Sequence, residues 1–201
     1  MKSLYVRSLV AFLCCVGLVA CGGSSGTLAL SGSITGLDKS GLVLENTKTG
    51  DTDSPASGDL VFTFPNLISE DDFFDIVVKT QPTGGSCTFI GTLAAADGQS
   101  ASSNASVFTV SNLAISCAAT PFKLGGTITG PHPLGLILIN GADQLSPTAD
   151  ATTFTFNASV GDGSTYGVTV FQQPPGHTCT VANGVGTLGS ADVTNVAVTC
   201  I

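Results

Sequence analysis

Hydrophobic and polar residues alternate in short runs along most of the chain. Residues 166–170, for example, place Tyr and two Val on one side of an extended backbone and Gly and Thr on the other. A period of two with one apolar face predicts β-strands that are covered on one side. Similar runs recur at residues 62–64, 74–78, 113–117, 154–157 and 196–200. Turn signals such as Asn183-Gly184 separate the runs, and about seven short strands in each half of the chain predict antiparallel β-sandwiches.

The pattern is an internal repeat, because the same residues return at nearly constant spacing. Gln173 and Cys179 follow Gln81 and Cys87 by 92 residues each, and the segment GGTITG follows SGSITG by 94 residues. The sequence therefore predicts two consecutive copies of one β-module.

Each copy contains two cysteines at matching positions, on the inward-facing phase of their strands. Four cysteines allow three pairings, and the matched placement favours Cys87–Cys117 and Cys179–Cys200 as disulfides. Zinc binding is the alternative, but none of the four forms a CxxC pair, so no metal site is predicted. Since the last cysteines of the two copies are only 83 residues apart, the first copy has extra residues, and these predict a small-residue loop at Leu93–Ser106.

The first twenty residues predict a secretory signal that is not part of the fold. Lys2 and Arg7 make the N-terminal end of this segment positively charged, and residues 9–19 form its short apolar core. The end of the segment, Leu18-Val19-Ala20-Cys21, resembles the lipobox of bacterial lipoproteins. The resemblance implies cleavage before Cys21 and attachment of lipid to that residue. The alternative is an ordinary secreted protein in which the cysteine stands there by chance.

A short tether rich in Gly and Ser, residues 22–27, separates the implied lipid anchor from the first strand. This composition is flexible, and six residues extend at most about 20 Å, so the first module should lie close to the membrane surface. In enterobacterial lipoproteins an Asp after the lipidated cysteine retains the protein in the inner membrane. Gly22 at this position favours the outer membrane. The expected localisation is the cell envelope, with the protein anchored by lipid.

Charge excludes one class of partner. The full chain has a formal charge of -8, and removal of the signal leaves four lysines and all 14 acidic residues, so the mature chain carries a net charge of −10 and contains no arginine. Nucleic-acid binding depends on basic side chains that release phosphate counterions, so nucleic acid is excluded as a partner.

Few residues suggest catalysis. The two histidines, His132 and His177, lie in predicted proline turns, where solvated side chains are expected, and the first copy has Gly85 at the position of His177. No serine lies in a GxSxG pattern between a predicted strand and a predicted helix, which is the context of a nucleophile elbow. The sequence therefore predicts no catalytic residue, no enzyme activity and no cofactor, and leaves a hydrolase that uses one of these histidines as a less favoured alternative.

Two groups of acidic residues in the first copy leave calcium binding open. Glu70–Asp72 is one group, and Asp51, Asp53 and Asp59 form the other. Loop carboxylates bind calcium, but neither group has the EF-hand spacing and the second copy lacks both, which favours solvated acidic loops.

The second copy, from Gly126 to Cys200, follows the pattern GxIxG, GLxLxN, FxF, YxVTVxxQPxGxxCTVxNGxGT and VTNVxVxC. In this pattern it resembles tandem modules of many exported proteobacterial proteins. The first copy retains most of the pattern but lacks the NGxGT turn. The resemblance implies an Ig-like or transthyretin-like sandwich. The family has no established activity, so the resemblance implies no catalytic residue, and a fold alone implies no function.

The expected organisation is a signal peptide at residues 1–20, a lipidated Cys21 with its tether at 21–27, and β-sandwiches at 28–119 and 120–201. The expected function is that of a membrane-anchored envelope lipoprotein, a non-enzymatic structural or protein-interaction module. A binding protein for a small ligand or glycan is the alternative. The anchor implies a membrane partner, and an envelope or surface protein is the second expected partner. Because the copies differ most in their loops, the sequence predicts that loops of the first copy carry specificity.

Overall fold

The computed structural model describes residues 26–201. The predicted signal peptide, Cys21 and most of the tether lie outside the described residues. Within residues 26–201 the regular structure consists of eighteen strands and one short helix, and none of it is a helix long and apolar enough to cross a membrane. The first module contains β1 (Leu28–Thr35), β2 (Val43–Asn46), β3 (Thr52–Asp53), β4 (Val61–Ile68), β5 (Phe73–Thr80), β6 (Gly85–Ile90), β7 (Ser100–Asn104), α1 (Val107–Ser111) and β8 (Leu113–Ala119).

The elements that follow repeat the order of the eight strands, with two further short strands, Pro121–Phe122 and Val160–Gly161, and without a helix in residues 121–201. They are β9 (Pro121–Phe122), β10 (Leu124–Thr129), β11 (Ile137–Asn140), β12 (Asp143–Leu145), β13 (Thr153–Thr155), β14 (Val160–Gly161), β15 (Thr165–Gln172), β16 (Cys179–Ala182), β17 (Val185–Thr187) and β18 (Val193–Cys200).

The strands of the first module form two four-stranded sheets around one core. One sheet has the order β4-β1-β8-β6, and the other has the order β3-β2-β5-β7. Alternate residues of each strand enter the core, as in β4, where Phe62 and Phe64 are buried and the residues beside them are exposed. The largest fully buried side chains of this module are Leu30, Ile34, Leu42, Leu44, Phe62, Phe74, Ile76 and Ile115.

The second module has the same architecture around a separate core. Its sheets have the orders β13-β10-β18-β16 and β12-β11-β15-β17. The core includes Leu124, Leu136, Leu138, Val196 and Val198, all of which are fully buried. The predicted all-β fold of two tandem sandwiches is confirmed.

One strand pair in each module is parallel: β1 pairs with β8, and β10 pairs with β18. Glycine permits the close approach of these strands. A methyl group on Gly126 would overlap the carbonyl group of Val196, and one on Gly32 would lie 2.6 Å from the carbonyl oxygen of Leu113. The GxIxG motif therefore has a structural reason, since it lets the first long strand of each module pair with the last.

Each module has one disulfide between adjacent antiparallel strands. Cys87 in β6 is bonded to Cys117 in β8, and Cys179 in β16 is bonded to Cys200 in β18, with S–S distances of 2.05 and 2.01 Å. The bonded residues lie directly opposite each other in the strand ladder, and all four are buried. The predicted pairing is confirmed, and each bridge ties an edge strand to the last strand of its module.

The prediction of a loop at Leu93–Ser106 is wrong for much of its length. Residues Ser100–Asn104 form β7, which pairs with five residues of β5. Leu93 and Ala94 pack against the core, and Ala101 is only 2% exposed. The small residues of this segment fit closely against the sandwich, so they do not indicate a free loop.

The two modules meet at a junction of hydrogen-bonded backbone. The N–H of Thr120 donates to the carbonyl of Gly84 in the first module, and the N–H of Asp162 in the second module donates to the carbonyl of Thr120, both at 2.9 Å. Directly after Thr120, β9 pairs with β14. One residue of the connection is therefore bonded to both modules.

Candidate interaction sites

The most distinctive residues shared by the two copies stabilise the fold. The side chain of Gln81 bonds both backbone groups of Cys87: its Oε1 accepts from the N–H at 2.7 Å, and its Nε2 donates to the carbonyl at 3.0 Å. Gln173 makes the same two bonds to Cys179, at the same distances. Each glutamine satisfies polar groups on the outer edge of a sheet, where no further strand pairs. Residues shared by the two copies thus serve the fold, and the candidate sites lie where the copies differ.

His132 does not lie in a solvated turn, because it is only 1% exposed. Its Nδ1 lies 3.2 Å from the carbonyl oxygen of Gly130, and its Nε2 has no hydrogen-bond partner within residues 26–201. The Nδ1 of His177 is also buried without a partner in this part of the chain. Among the described residues neither imidazole hydrogen-bonds a hydroxyl or a carboxylate, so neither makes the contact between nucleophile and base that the hydrolase alternative requires.

Two acidic residues of the first module, Asp59 and Asp72, hold local turns. Asp59 Oδ2 accepts a hydrogen bond from the N–H of Ala56, and Asp72 Oδ2 accepts one from the N–H of Ser69, both at 2.8 Å. Within residues 26–201 no three His, Cys, Asp or Glu side chains are grouped so that they could hold a metal ion. The calcium alternative therefore has no assembled set of ligands in the part of the chain that the structure describes.

One cleft of about 430 Å³ lies on the solvent side of β10 and β13 in the second module. Gly125 and Gly126 line it together with Phe154, and the backbone N–H of Lys123 donates to Asp192 Oδ1 at 2.8 Å beside them. Four threonines complete the lining: Thr127, Thr153, Thr155 and Thr194. We call this the threonine cleft, and its volume is within the range of small-molecule sites.

A second cleft lies between β15 and β16, where the two sheets of the second module are not hydrogen-bonded to each other. We call it the side cleft. It has a volume of about 390 Å³ and is widely open to solvent. Its lining contains no charged residue, and the apolar part consists of Val168, Val170, Cys179, Val181 and Val185.

In the first module the same position is covered by the chain itself. The bonded cysteines of the first module are 30 residues apart and those of the second are 21 apart, and residues 91–99 account for the difference of nine. We call residues 91–99 the cover segment. Its Leu93 and Ala94 pack against the core, and Gly98 lies so close to Thr88 that a methyl group on it would be 2.9 Å from the Thr88 Cβ. The side cleft is thus a place where the second module lacks a part that the first module has.

The unequal cysteine spacing is the sequence signal for this difference. By itself it indicates an added loop in the first copy as readily as a missing cover in the second. Only the packing of residues 91–99 against the first core distinguishes the two interpretations.

Comparisons with known proteins give this chain no close relative. No protein-family model matches it, and no curated protein matches it in sequence. Among solved structures, the pilus adhesin SpaC from Lactobacillus rhamnosus GG is 11% identical with a TM-score of 0.41, over 85% of this chain and 31% of the adhesin. The major pilin T-13 from Streptococcus pyogenes is also 11% identical, with a TM-score of 0.29, over 86% of this chain and 95% of the pilin. This chain spans about a third of the adhesin's length, and similarity at these scores carries no argument about its function.

Proposed function

We propose that the mature protein is a lipid-anchored component of the cell envelope that acts without catalysis, as a structural or protein-interaction module. Cys21 carries the anchor, and the two stapled sandwiches are held at the membrane surface, with the outer membrane as the expected location. The lipobox resemblance and the short tether motivate this proposal.

The observation that carries it is the apolar end of the first module. Strand β1 begins at Leu28, so the seven residues from Cys21 span at most about 25 Å. Leu67 lies beside Gly26 at this end and is 54% exposed. On α1, which packs against β1, Val107 and Phe108 are 72% and 69% exposed. Exposed apolar side chains close to the anchor fit a module that rests on a lipid surface.

The rest of the described chain fits a durable, non-catalytic role. Each core of modest size is closed by a disulfide, and a bridge over 21 to 30 residues contributes roughly 3–4 kcal/mol in the chain-entropy model. Such bridges persist in the oxidising compartments outside the cytoplasm. The imidazole of His132 is buried, and the carboxylates of Asp59 and Asp72 accept hydrogen bonds within turns.

The test is the Cys21→Ser variant in the native host, compared with wild type. We expect wild-type protein to enter the detergent phase and to carry acyl mass on residue 21, and we expect the variant to do neither. Identical partitioning of both proteins, without acyl mass on either, would exclude the anchor. In parallel, in-cell crosslinking of the wild-type protein should yield adducts with other envelope proteins. In a separate assay, turnover of an ester or peptide substrate by the purified protein would exclude the non-catalytic role.

The threonine cleft favours a second candidate function, the binding of a small hydroxyl-rich ligand such as a sugar. Its four threonine hydroxyls can both donate and accept hydrogen bonds. A panel of mono- and disaccharides should then raise the melting temperature of the wild-type protein, and a Thr127→Val variant should lose the shift. No shift with any member of the panel would exclude this candidate.

A further inference from the structure

The side cleft leaves two backbone donors without the partners that their counterparts have. In the first module, the N–H of Val78 donates to the carbonyl of Gln99 at 3.0 Å, and the N–H of Phe89 donates to the carbonyl of Gly98 at 2.7 Å. Both acceptors belong to the cover segment. It therefore joins β5 of one sheet to β6 of the other and closes the side of the sandwich.

The equivalent donors of the second module lie 92 positions later, at Val170 and Val181. Val181 is in β16, the edge strand of its sheet, and Val170 lies beyond the three residues of β15 that pair with β17. Within residues 26–201 neither N–H has a backbone acceptor outside its own sheet. Both N–H groups face the open cleft, and unpaired donors at a sheet edge are available to the carbonyls of an incoming chain.

The first module also shows which kind of molecule supplies such acceptors. Gly98 and Gln99 are consecutive, and the positive φ of Gly98, 67°, bends the chain there, so one short, bent stretch of backbone reaches both donors. Small and aliphatic side chains accompany them, namely those of Leu93 and Ala94. The occupant that fits the side cleft is therefore a polypeptide segment, because a hydrocarbon chain has no carbonyl to offer.

Charge narrows the choice further. The lining of the side cleft is uncharged, so a charged side chain entering it would lose hydration without a compensating partner. A second copy of this protein is disfavoured, because each mature chain carries a net charge of −10 and two copies repel each other. Its own cover segment is moreover already packed in its first module.

We propose that the side cleft binds a short, bent segment of another envelope protein, whose side chains entering the cleft are small or aliphatic and uncharged. The segment lies between β15 and β16 and accepts hydrogen bonds from the N–H groups of Val170 and Val181. As in strand addition at an exposed sheet edge, main-chain bonds supply affinity and side-chain packing supplies selectivity. The inference deepens the proposed interaction role and rests on it for the partner being an envelope protein.

The direct test uses the mature two-module protein and a synthetic peptide with the sequence of residues 91–102, GTLAAADGQSAS. The one charged residue of this peptide, Asp97, is exposed in the first module, so it is not expected to enter the cleft. Amide hydrogen exchange is measured with and without the peptide. We expect the amides of Val170 and Val181 to slow at least about tenfold on binding, while those of Val78 and Phe89 stay unchanged. The same peptide with Leu93→Asp should give no protection. Equal protection by both peptides, or by neither, would overturn the inference.

Two matched variants test the location. Val185 is 79% exposed and lines the side cleft, whereas Phe171 is 60% exposed and does not line it. Because both side chains are exposed, Asp is tolerated at either position. Val185→Asp should weaken peptide binding by about tenfold or more, which corresponds to about 1.4 kcal/mol, and Phe171→Asp should leave it unchanged. Equal effects of the two variants would place binding elsewhere.

In cells, a photo-crosslinking amino acid is placed at position 185, 171 or 108. We expect an adduct at position 185 whose crosslinked partner peptide, sequenced by mass spectrometry, is rich in small and aliphatic residues. Protein adducts at position 108 or 171 but not at 185 would overturn this inference and leave the proposed function standing. No protein adduct at any position would count against both.

Protection of Val170 and Val181 by vesicles of phosphatidylethanolamine and phosphatidylglycerol, but not by the peptide, would assign the cleft to lipid and overturn the inference.

Discussion

Lys39 Nζ lies 2.8 Å from Asp162 Oδ1, and this ion pair joins the two modules across their junction. The side chains are only 23% and 16% exposed. Two glycines with positive φ make room for the contact: Gly84 lies against the Asp162 carboxylate, and Gly163 lies against the Lys39 ammonium group. Together with the two backbone bonds of Thr120, the pair holds the modules in one relative orientation.

Removing this pair should loosen the junction. The Lys39→Ala variant leaves the half-buried carboxylate of Asp162 without its cation, and we expect a loss of stability on the order of 1–2 kcal/mol in urea unfolding. Small-angle scattering should show a broader range of interdomain distances.

The matched control is Lys79→Ala, which removes the more exposed pair of Lys79 with Glu45, at 3.0 Å within the first module. An exposed pair contributes little, so this variant should lie within about 0.5 kcal/mol of wild type. Equal effects of the two variants would contradict the role assigned to Lys39.

A second prediction concerns the glycine at the parallel strand pair. Gly126→Ala should destabilise the second module by several kcal/mol, roughly 2–4, because the new methyl group overlaps the backbone of Val196, which has no freedom to rotate away. Gly167→Ala is the control, since a methyl group there meets nothing within 4 Å. If the two variants have the same melting temperature, the close approach of the strands is not required.

A third prediction concerns the disulfides. The Cys179→Ala, Cys200→Ala double variant should lose about 3 kcal/mol, as expected for a bridge that closes about twenty residues. A two-module chain need not unfold in one step, so the unfolding of each module is measured separately, by the hydrogen exchange of its own core amides. The core amides of the first module should remain protected, and their concurrent loss would contradict the presence of two separate cores.

A fourth prediction concerns the cover segment. Deletion of residues 91–99 would give the first module the length of the second, but it would expose core surface under Leu93 and unpair the N–H groups of Val78 and Phe89. We expect a loss of about 2–4 kcal/mol and fast exchange of both amides. This differs from the expectation for a free loop, whose shortening costs little.

The control for that deletion is an insertion of nine Gly and Ser residues after Gly189, an exposed loop residue where a side chain would meet nothing within 4 Å. Loop-length changes at such a position cost well under about 1 kcal/mol. If the deletion proves as mild as the insertion, the segment is a loop after all and the side cleft is not a missing cover.

Much of the fold could be predicted because its determinants are local or repeated. Alternation within five to eight residues marks the strands, and a glycine-marked turn marks their ends. The disulfide pairs follow from comparing one copy with the other, since a cysteine at a matching position has the same partner. The repeated Gln81 and Gln173 could be recognised as a motif, but their role as clamps on the cysteine strands is visible only in the structure.

Other features depend on residues that the sequence separates. His132 stands between two prolines and reads as a solvated turn, yet it is buried because the loop at Asp150 folds back over it: the N–H of Asp150 donates to the His132 carbonyl at 3.1 Å. The prediction that loops of the first module carry specificity treats Leu93–Ser106 as free chain. In the structure this segment packs against the first core, and the open side cleft lies in the second module instead.

The sequence by itself determined the strands, the two copies and their bridges, because each depends on the period of a few residues or on a comparison at fixed spacing. The tertiary structure alone decided the parallel pairing of β1 with β8, the contact of Lys39 with Asp162 and the open side cleft. Each of these depends on which surfaces meet after the chain has folded. A pattern of hydrophobicity specifies that a face is buried, but it does not specify what covers it.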